Sequence, residues 1–412
     1  MPAQTIAISV VRIHPNSFAF TLLLGLLSSL PTFGIDVILP TLPATGAALG
    51  VPASKAGLAM SAYLLGVGAA LIVFGPISDR FGRKPIVGFG CALLIVASIG
   101  CIFAHSLPQL LIFRALQGAG ASGPGIGAIT IVRDLFEGVA ARAKMSFAVF
   151  AVNIVPMVAP TVGAALLLLG GWQAIYLVPI AGGCILLLAM RRLDETARID
   201  STTRFRPTAA VRDYLRVLTH PICLGNTLCN AAAAGAVFAY ITGSSLFFIN
   251  VMGLSPNQYG LIFGASSLSV MAGTLVNERL STWGTSPDQL ITIGLTVSTL
   301  LAAFLLAMAL AEVKSIVLVV LVMVGVALSF GLISPNATAG ALQPMPKIAG
   351  SVSAVIVFVQ MLAAASSSGL VAEFFDGHSA FSMAIVMIFF CLFAIASYVG
   401  VARSAEPSPL IT

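Results

Sequence analysis

Asp36 and Arg114 are the two ionisable residues that fall well inside long apolar runs of this 412-residue chain. A charge in an apolar span is costly, so one that is kept there is a functional candidate. A partly dehydrated carboxylate has its protonated form favoured, which suits Asp36 to carrying a proton between two aqueous sides. Arg114, the lone base within a span, can hold a fixed charge that polarises nearby water or pairs transiently with a carboxylate. The alternative for Arg114 is a structural bond to backbone carbonyls. Asp79, Glu278, Glu373 and Asp376 sit at the ends of runs, where water reaches them. Gln117, Asn153, Asn226, Asn230, Tyr240, Asn336 and Gln360 add polar groups to the runs. Each alone reads as an interhelical hydrogen bond; together they outline a mostly apolar cavity. Such a cavity suits a neutral or weakly polar amphiphile better than a sugar or a phosphate. Pro156 and Pro160, close to Asn153, mark a helix that can bend.

A second constellation joins two runs: Gly75-Pro-Ile-Ser78-Asp79-Arg80-Phe-Gly82-Arg83-Lys84-Pro85. Gly75 removes bulk where two helices approach closely, and Asp79 can meet the positive N-terminal end of another helix. Gly82 allows a tight turn, while Arg80, Arg83 and Lys84 hold the loop on one side of a membrane. Arg133 and Asp134, at the end of a later run, are candidates to join this cluster. An ordinary charged loop needs no ordered glycines and no aspartate, so the pattern predicts a conformational switch. Gly118-Ala-Gly120-Ala-Ser-Gly123 satisfies GxGxxG in spelling only. It lies within one continuous apolar run, where no strand precedes it, so it predicts close helix packing and no dinucleotide. No cofactor or metal is expected. The six cysteines lie singly in apolar runs and the four histidines are scattered near run ends. Catalytic His/Asp, Ser/His or HExxH arrangements are absent from the runs, as is GxxxxGK[ST]. These absences argue against a membrane enzyme or an ATP-driven pump and leave ion gradients as the energy source.

The elements that must position these residues follow from composition. A soluble domain carries about 25% charged residues; this chain has 8% charged and 58% hydrophobic residues, with mean hydropathy +1.06. A helix needs about 20 apolar residues to cross a bilayer. Punctuation by Gly, Pro and charge gives twelve spans: 17–39, 53–77, 85–104, 107–130, 144–169, 172–191, 218–250, 256–278, 288–310, 315–340, 348–372 and 379–402. The fold class is therefore an all-α membrane protein, its twelve helices in two pseudo-symmetric halves of six. The first half covers 1–190, a polar linker 191–216, and the second half 217–412. The linker holds seven arginines (191, 192, 198, 204, 206, 212 and 216). Of the 20 Lys and Arg residues, 17 fall in one alternating set of loops. That is the positive-inside pattern, so the net charge of +6 reports orientation and not a nucleic-acid partner. Both termini and the linker are expected in the cytoplasm, with the first run retained in the membrane. A degraded repeat supports the two halves: Gly273-x-x-x-Asn277-Glu278-Arg279, with Gly284 beyond, matches the Gly75 motif in place.

These residues resemble a known family. The Gly75–Pro85 run is similar to the signature loop of the major facilitator superfamily, and the likeness covers the whole chain. Leu110-x-x-x-Arg114-x-x-Gln117-Gly118-x-Gly120-Ala121 resembles the fourth-span motif of its drug:proton antiporters. Asp36-x-x-Leu39-Pro40-x-Leu42-Pro43 resembles the end of the first span in the Bcr/CflA branch of bicyclomycin and chloramphenicol exporters. Gly171-Trp172-Gln-Ala-Ile-Tyr176 and Asp194-Glu195-Thr196 also sit where that branch has similar runs. The antiporter motif of the fifth span corresponds to Pro156, Pro160 and Gly163, with Ala159 and Ala164 where the family has glycines. Ile38 stands where the branch has an aromatic residue. The resemblance implies a major facilitator fold in the bacterial inner membrane, acting as a monomer. It implies export of small amphipathic compounds, antibiotics among them, in exchange for protons; export or proton-coupled uptake of a metabolite is the alternative.

Overall fold

In lipid every backbone polar group must be satisfied within the chain, and helices do this for single segments. The computed structural model describes residues 13–197 and 207–405. Its first half contains α1 (Phe18–Asp36), α2 (Leu42–Ala48), α3 (Ala53–Phe81), α4 (Arg83–Ile102), α5 (Leu107–Leu135), α6 (Gly138–Gly170) and α7 (Leu177–Arg191). A short helix α8 (Pro207–Thr219) precedes the second half. That half contains α9 (Pro221–Ser245), α10 (Pro256–Thr282), α11 (Pro287–Leu310), α12 (Ile316–Leu342), α13 (Ala349–Phe374) and α14 (Phe381–Ser397).

Since α1 and α2 share one crossing and α8 makes none, these helices make twelve crossings. Eleven segments are long and apolar enough to span a bilayer by length and composition. The twelfth crossing, α5, has 29 residues but holds Arg114, Gln117 and a run of glycines. Its polar side chains are buried inside the first half, so lipid never meets them. Elsewhere large apolar side chains such as Phe89, Phe103, Leu168 and Phe389 stand exposed on the outer surface, an arrangement that only an apolar solvent tolerates. Local chemistry sets several starts. Ser255 with Gln258 and Ser286 with Gln289 form capping boxes with proline at the first helical turn of α10 and α11.

Three sequence expectations shift. The first crossing does not end near 39 but continues through a 3-10 turn at Leu39–Thr41 into α2. The fifth begins at Gly138, not 144. The polar linker is partly helical, as α8; Arg198, Arg204 and Arg206 lie outside the described residues.

The halves meet along two helix pairs, α3 with α13 and α6 with α10. One face of the bundle carries the Gly75–Pro85 loop and is called the loop side; the other is the Asp36 side. On the Asp36 side the halves share a continuous core. Leu39, Met60 and Leu64 of the first half pack with Tyr240, Phe247, Tyr259 and Phe263 of the second. Lys55 pairs with Glu373 across the seam, and Ser245 donates to the Leu39 carbonyl. Towards the loop side α6 and α10 part to leave a cleft of about 500 Å³ lined by Met145, Val149, Phe150, Asn153 and Met271, among others.

Candidate functional site

The site is built on the break after α1. Pro31 lies within that helix and Pro40 and Pro43 follow it, so the hydrogen-bond ladder cannot continue through this stretch. A helix end leaves its last carbonyls without partners, and here side chains and close packing from other elements take them up. Arg114 on α5 donates from Nη2 to the Gly34 carbonyl at 3.0 Å. Ser245 on α9 caps Leu39. Gly163 on α6 lies directly against Val37, where a Cβ would collide with the Val37 carbonyl oxygen. Only glycine lets α6 close on the break.

Arg114 is 1% exposed and serves as a brace. Besides Gly34, it donates from Nε to the Ala59 carbonyl at 3.2 Å and from Nη1 to Gln117 Oε1 at 2.6 Å. Its guanidinium lies over the Tyr63 ring, 4.3 Å from the centroid, a favourable cation–π placement. Tyr63 in turn donates to the Pro31 carbonyl at 2.8 Å. No contact with Asp36 is formed in this state. The structure thus places Arg114 in the backbone-pairing arrangement instead of the transient carboxylate pair. Gln117 does not join the cavity expected from the sequence: its amide points within the first half and is spent between Arg114 and Ser98, to which it donates at 2.8 Å.

Asp36, the last residue of α1, is 3% exposed. It is shielded from solvent, and the turn at Leu39–Thr41 and α2 follow it directly. Among the described residues its carboxyl has no hydrogen-bond partner. Tyr240 and Tyr259 lie in the same buried cluster as Ile35 and Leu39, which flank Asp36, and Tyr63 packs against Gly34. Tyr259 shares a 3.3 Å hydrogen bond with Ser244, and Tyr63 is committed to Pro31, whereas Tyr240 has none among the described residues. A buried carboxyl of the first half and a buried, uncommitted phenol of the second therefore lie near one another at the seam.

The remaining polar candidates scatter. Asn153 lines the α6–α10 cleft and donates to the Val149 carbonyl at 2.9 Å. Pro156 lies within the same helix, and Pro160 lies where Gly260 of α10 crosses it. Asn226 packs on Gly340 of α12. Asn230 buries its amide oxygen with no partner among the described residues. Asn336 donates to Asn277 at 2.6 Å, which ties it to the second-half copy of the loop motif. Gln360 is partly buried on α13.

The loop motif forms a compact ion cluster. Arg83 donates to Asp79 at 2.7 Å, to Asp134 at 2.8 Å and to Ser78 at 3.1 Å. Asp134 joins as expected, but Arg133 is exposed and stands outside these bonds. Arg80 remains partly buried beside them. The helix N-terminus is met by a different acid from the one expected. Glu195 accepts from the backbone N–H groups of Arg83 and Lys84 at 2.9 and 3.1 Å, while Asp79 pairs with Arg83. Gly82 adopts φ +100°, and a Cβ there would strike the Glu195 carboxylate. Gly75 meets nothing within 4 Å, so the close helix approach expected of it is not made in this state.

Sequence reasoning left Tyr63, Tyr259, Ser98 and the capping role of Glu195 unassigned. The tyrosines carried a usable signal, since the chain has only six and a phenol within an apolar run needs a partner. Glu195 stood in a run similar to the family branch, but nothing in the sequence linked it to Arg83, 112 residues away.

Comparison with known proteins bears on what this geometry does. The model of the Major Facilitator Superfamily matches residues 22–368. The chain is 26% identical over 362 residues to a bicyclomycin resistance protein homolog of Haemophilus influenzae, covering 87% of this chain and 90% of that one. It is 30% identical to a chloramphenicol resistance protein of Pseudomonas aeruginosa, covering 82% and 80%. Multidrug resistance protein MdtL of Escherichia coli is 28% identical, with 80% and 82% covered. Among solved structures, a bacterial homolog of the human lysosomal transporter Spinster superposes with a TM-score of 0.75 at 16% identity, covering 94% and 97%. A D-xylose-proton symporter gives 0.68 at 17%, covering 92% and 97%.

Proposed function

Because the chain belongs to the Major Facilitator Superfamily, we propose that it is a drug exporter of the inner membrane, moving small amphipathic compounds outward in exchange for protons. The observation that carries this reading is Asp36: a buried carboxyl, unpartnered among the described residues, beside the core that the two halves share. A group so placed can bind a proton when the seam opens to one side and lose it when the seam opens to the other. The membrane potential contributes about 2.3 kcal/mol per charge per 100 mV, enough for one proton to support a concentration ratio of some tens-fold. Arg114 acts through position, since it fixes the carbonyl two residues before Asp36. Asn153, Asn230, Tyr240 and Gln360 supply the few polar contacts to substrate, among apolar walls, while Asn226 and Asn336 are engaged with Gly340 and Asn277. The drug class is supported by relatives named for bicyclomycin, chloramphenicol and multidrug resistance. The distribution of basic residues supports termini and linker in the cytoplasm, with halves 1–190 and 217–412, and each monomer functions alone.

The test is chloramphenicol and bicyclomycin accumulation in an efflux-deficient host. Expression should lower accumulation, and a proton uncoupler should restore it. Unchanged accumulation of every amphiphile tested, alongside export of an amino acid or nucleoside, would replace this reading with that of a metabolite exporter.

A further inference from the structure

Helix α8 has three faces, and the fold uses only one of them. Tyr214 and Val217 dock on the second half, packing with Cys223 of α9, Ala341 of α12, and Val352, Val355 and Val359 of α13. Tyr214 also reaches the first half, donating to the Ile72 carbonyl of α3 at 3.1 Å. Partial burial, then the carboxylates of Asp79 and Asp213, hold its phenol above the usual range, so it stays a neutral donor at physiological pH. A second face carries Val211, Leu215 and Leu218, which are 55%, 56% and 39% exposed. Their spacing of four and three residues puts them in one stripe. Beside that stripe stand Arg212 and Arg216, both exposed.

Where the stripe points follows from α13. Val352, Val355 and Val359, the residues that receive α8, begin a row at spacings of three and four. The row continues through Leu362, Ser366 and Leu370, whose leucines are 44% and 36% exposed. The other faces of α13 pack on α3, through Phe358, Met361 and Ala372, and on α9, through Ser367 and Ser368, so this exposed row is read as the lipid-facing one and α8 as lying at the edge of the bundle, where α13 begins. Only His220 then separates α8 from the long buried helix α9, which holds it near the interface. Apolar stripe, flanking arginines and interfacial depth together fit one partner.

We propose that α8 is an in-plane helix that seats Val211, Leu215 and Leu218 in the loop-side leaflet and binds anionic lipid phosphates through Arg212 and Arg216. The lipid contact covers apolar surface that water would otherwise meet; Arg212 exchanges water for a phosphate oxygen, and Arg216 adds one to its 3.4 Å pairing with Asp213. Tyr214 then connects a lipid-bound helix of the second half to α3 of the first.

The experiment uses the full chain with its native cysteines replaced and a single cysteine at Leu215→Cys or, as the control, at Asp213→Cys. Each is labelled with a polarity-sensitive fluorophore and reconstituted in phosphatidylcholine, with or without phosphatidylglycerol. The label at 215 should be blue-shifted and quenched by lipids carrying a spin label high on the acyl chain; the label at 213 should not. Phosphatidylglycerol should deepen quenching at 215, and Arg212→Gln with Arg216→Gln should abolish that increment, each arginine contributing roughly fivefold in lipid partition. These two arginines are exposed, so the double variant should insert normally. A label at 215 that stays polar and unquenched overturns the proposal, as does a phosphatidylglycerol effect that survives the double variant. Cross-linking between copies through position 215 overturns it too, by making the stripe a protein interface.

Discussion

Asp36 and Arg114 began as equals, two charges in apolar runs, and the structure gives them different work. Arg114 has three acceptors and an aromatic ring, the satisfaction that a buried guanidinium requires. Removing it strands the Gly34 and Ala59 carbonyls and Gln117 together. Arg114→Met should therefore cost stability, about 1–3 kcal/mol for each acceptor left short, seen as a lower melting temperature in detergent. Asp36 gives up no hydrogen bond when changed. Asp36→Asn should leave melting nearly unaltered while abolishing proton-driven drug transport in energised vesicles. Full transport by that variant would sink the coupling assignment. Tyr240→Phe removes a single uncommitted hydroxyl at the seam and should raise the half-saturating drug concentration more than it lowers turnover. A turnover loss with unchanged half-saturation would place Tyr240 outside the drug site.

At the scale of elements, the break after α1 and the turn before α4 are both held by neighbours. Gly163 is the point where α6 meets the break, and Gly163→Val should push the two apart. Overpacking of this kind costs about 1–3 kcal/mol, and melting with transport assays on the same preparation would register both losses. The loop cluster behaves differently, because Asp79, Arg83, Asp134 and Glu195 all belong to the first half or its border. The cluster stiffens one half and makes no direct ion pair with α13. Gly75 meanwhile faces open space, so a side chain there should cost nothing in this state and obstruct one in which α3 closes on its neighbour. Gly75→Leu and Asp79→Asn should slow turnover with little change in ligand affinity. A large affinity loss with normal maximal rate would show that the motif contributes to binding.

For the whole molecule, the halves are joined on the Asp36 side and part along α6 and α10 towards the loop side. Single cysteines at Thr208 and Glu312, exposed on opposite faces, should label from opposite sides of sealed vesicles, with 208 cytoplasmic. Labelling of both from one side would overturn the orientation.

The helical crossings were legible in the sequence, because hydropathy and punctuation are local properties and lipid leaves the backbone few alternatives. Asp36 was legible for the same reason: a carboxylate in an apolar run is conspicuous whatever surrounds it. Its isolation was not, nor the diversion of Arg114 and Gln117 into the interior of one half. Those depend on which carbonyls a break leaves bare and which helix passes beside them. The exchange of roles between Asp79 and Glu195 has the same origin, since a helix N-terminus accepts whichever carboxylate the fold brings to it. The sequence supplied the charges and the lengths of the helices; tertiary packing decided their partners, because hydrogen bonds are short and directional while the residues that make them lie 112 positions apart for Arg83 and Glu195 and 206 for Leu39 and Ser245.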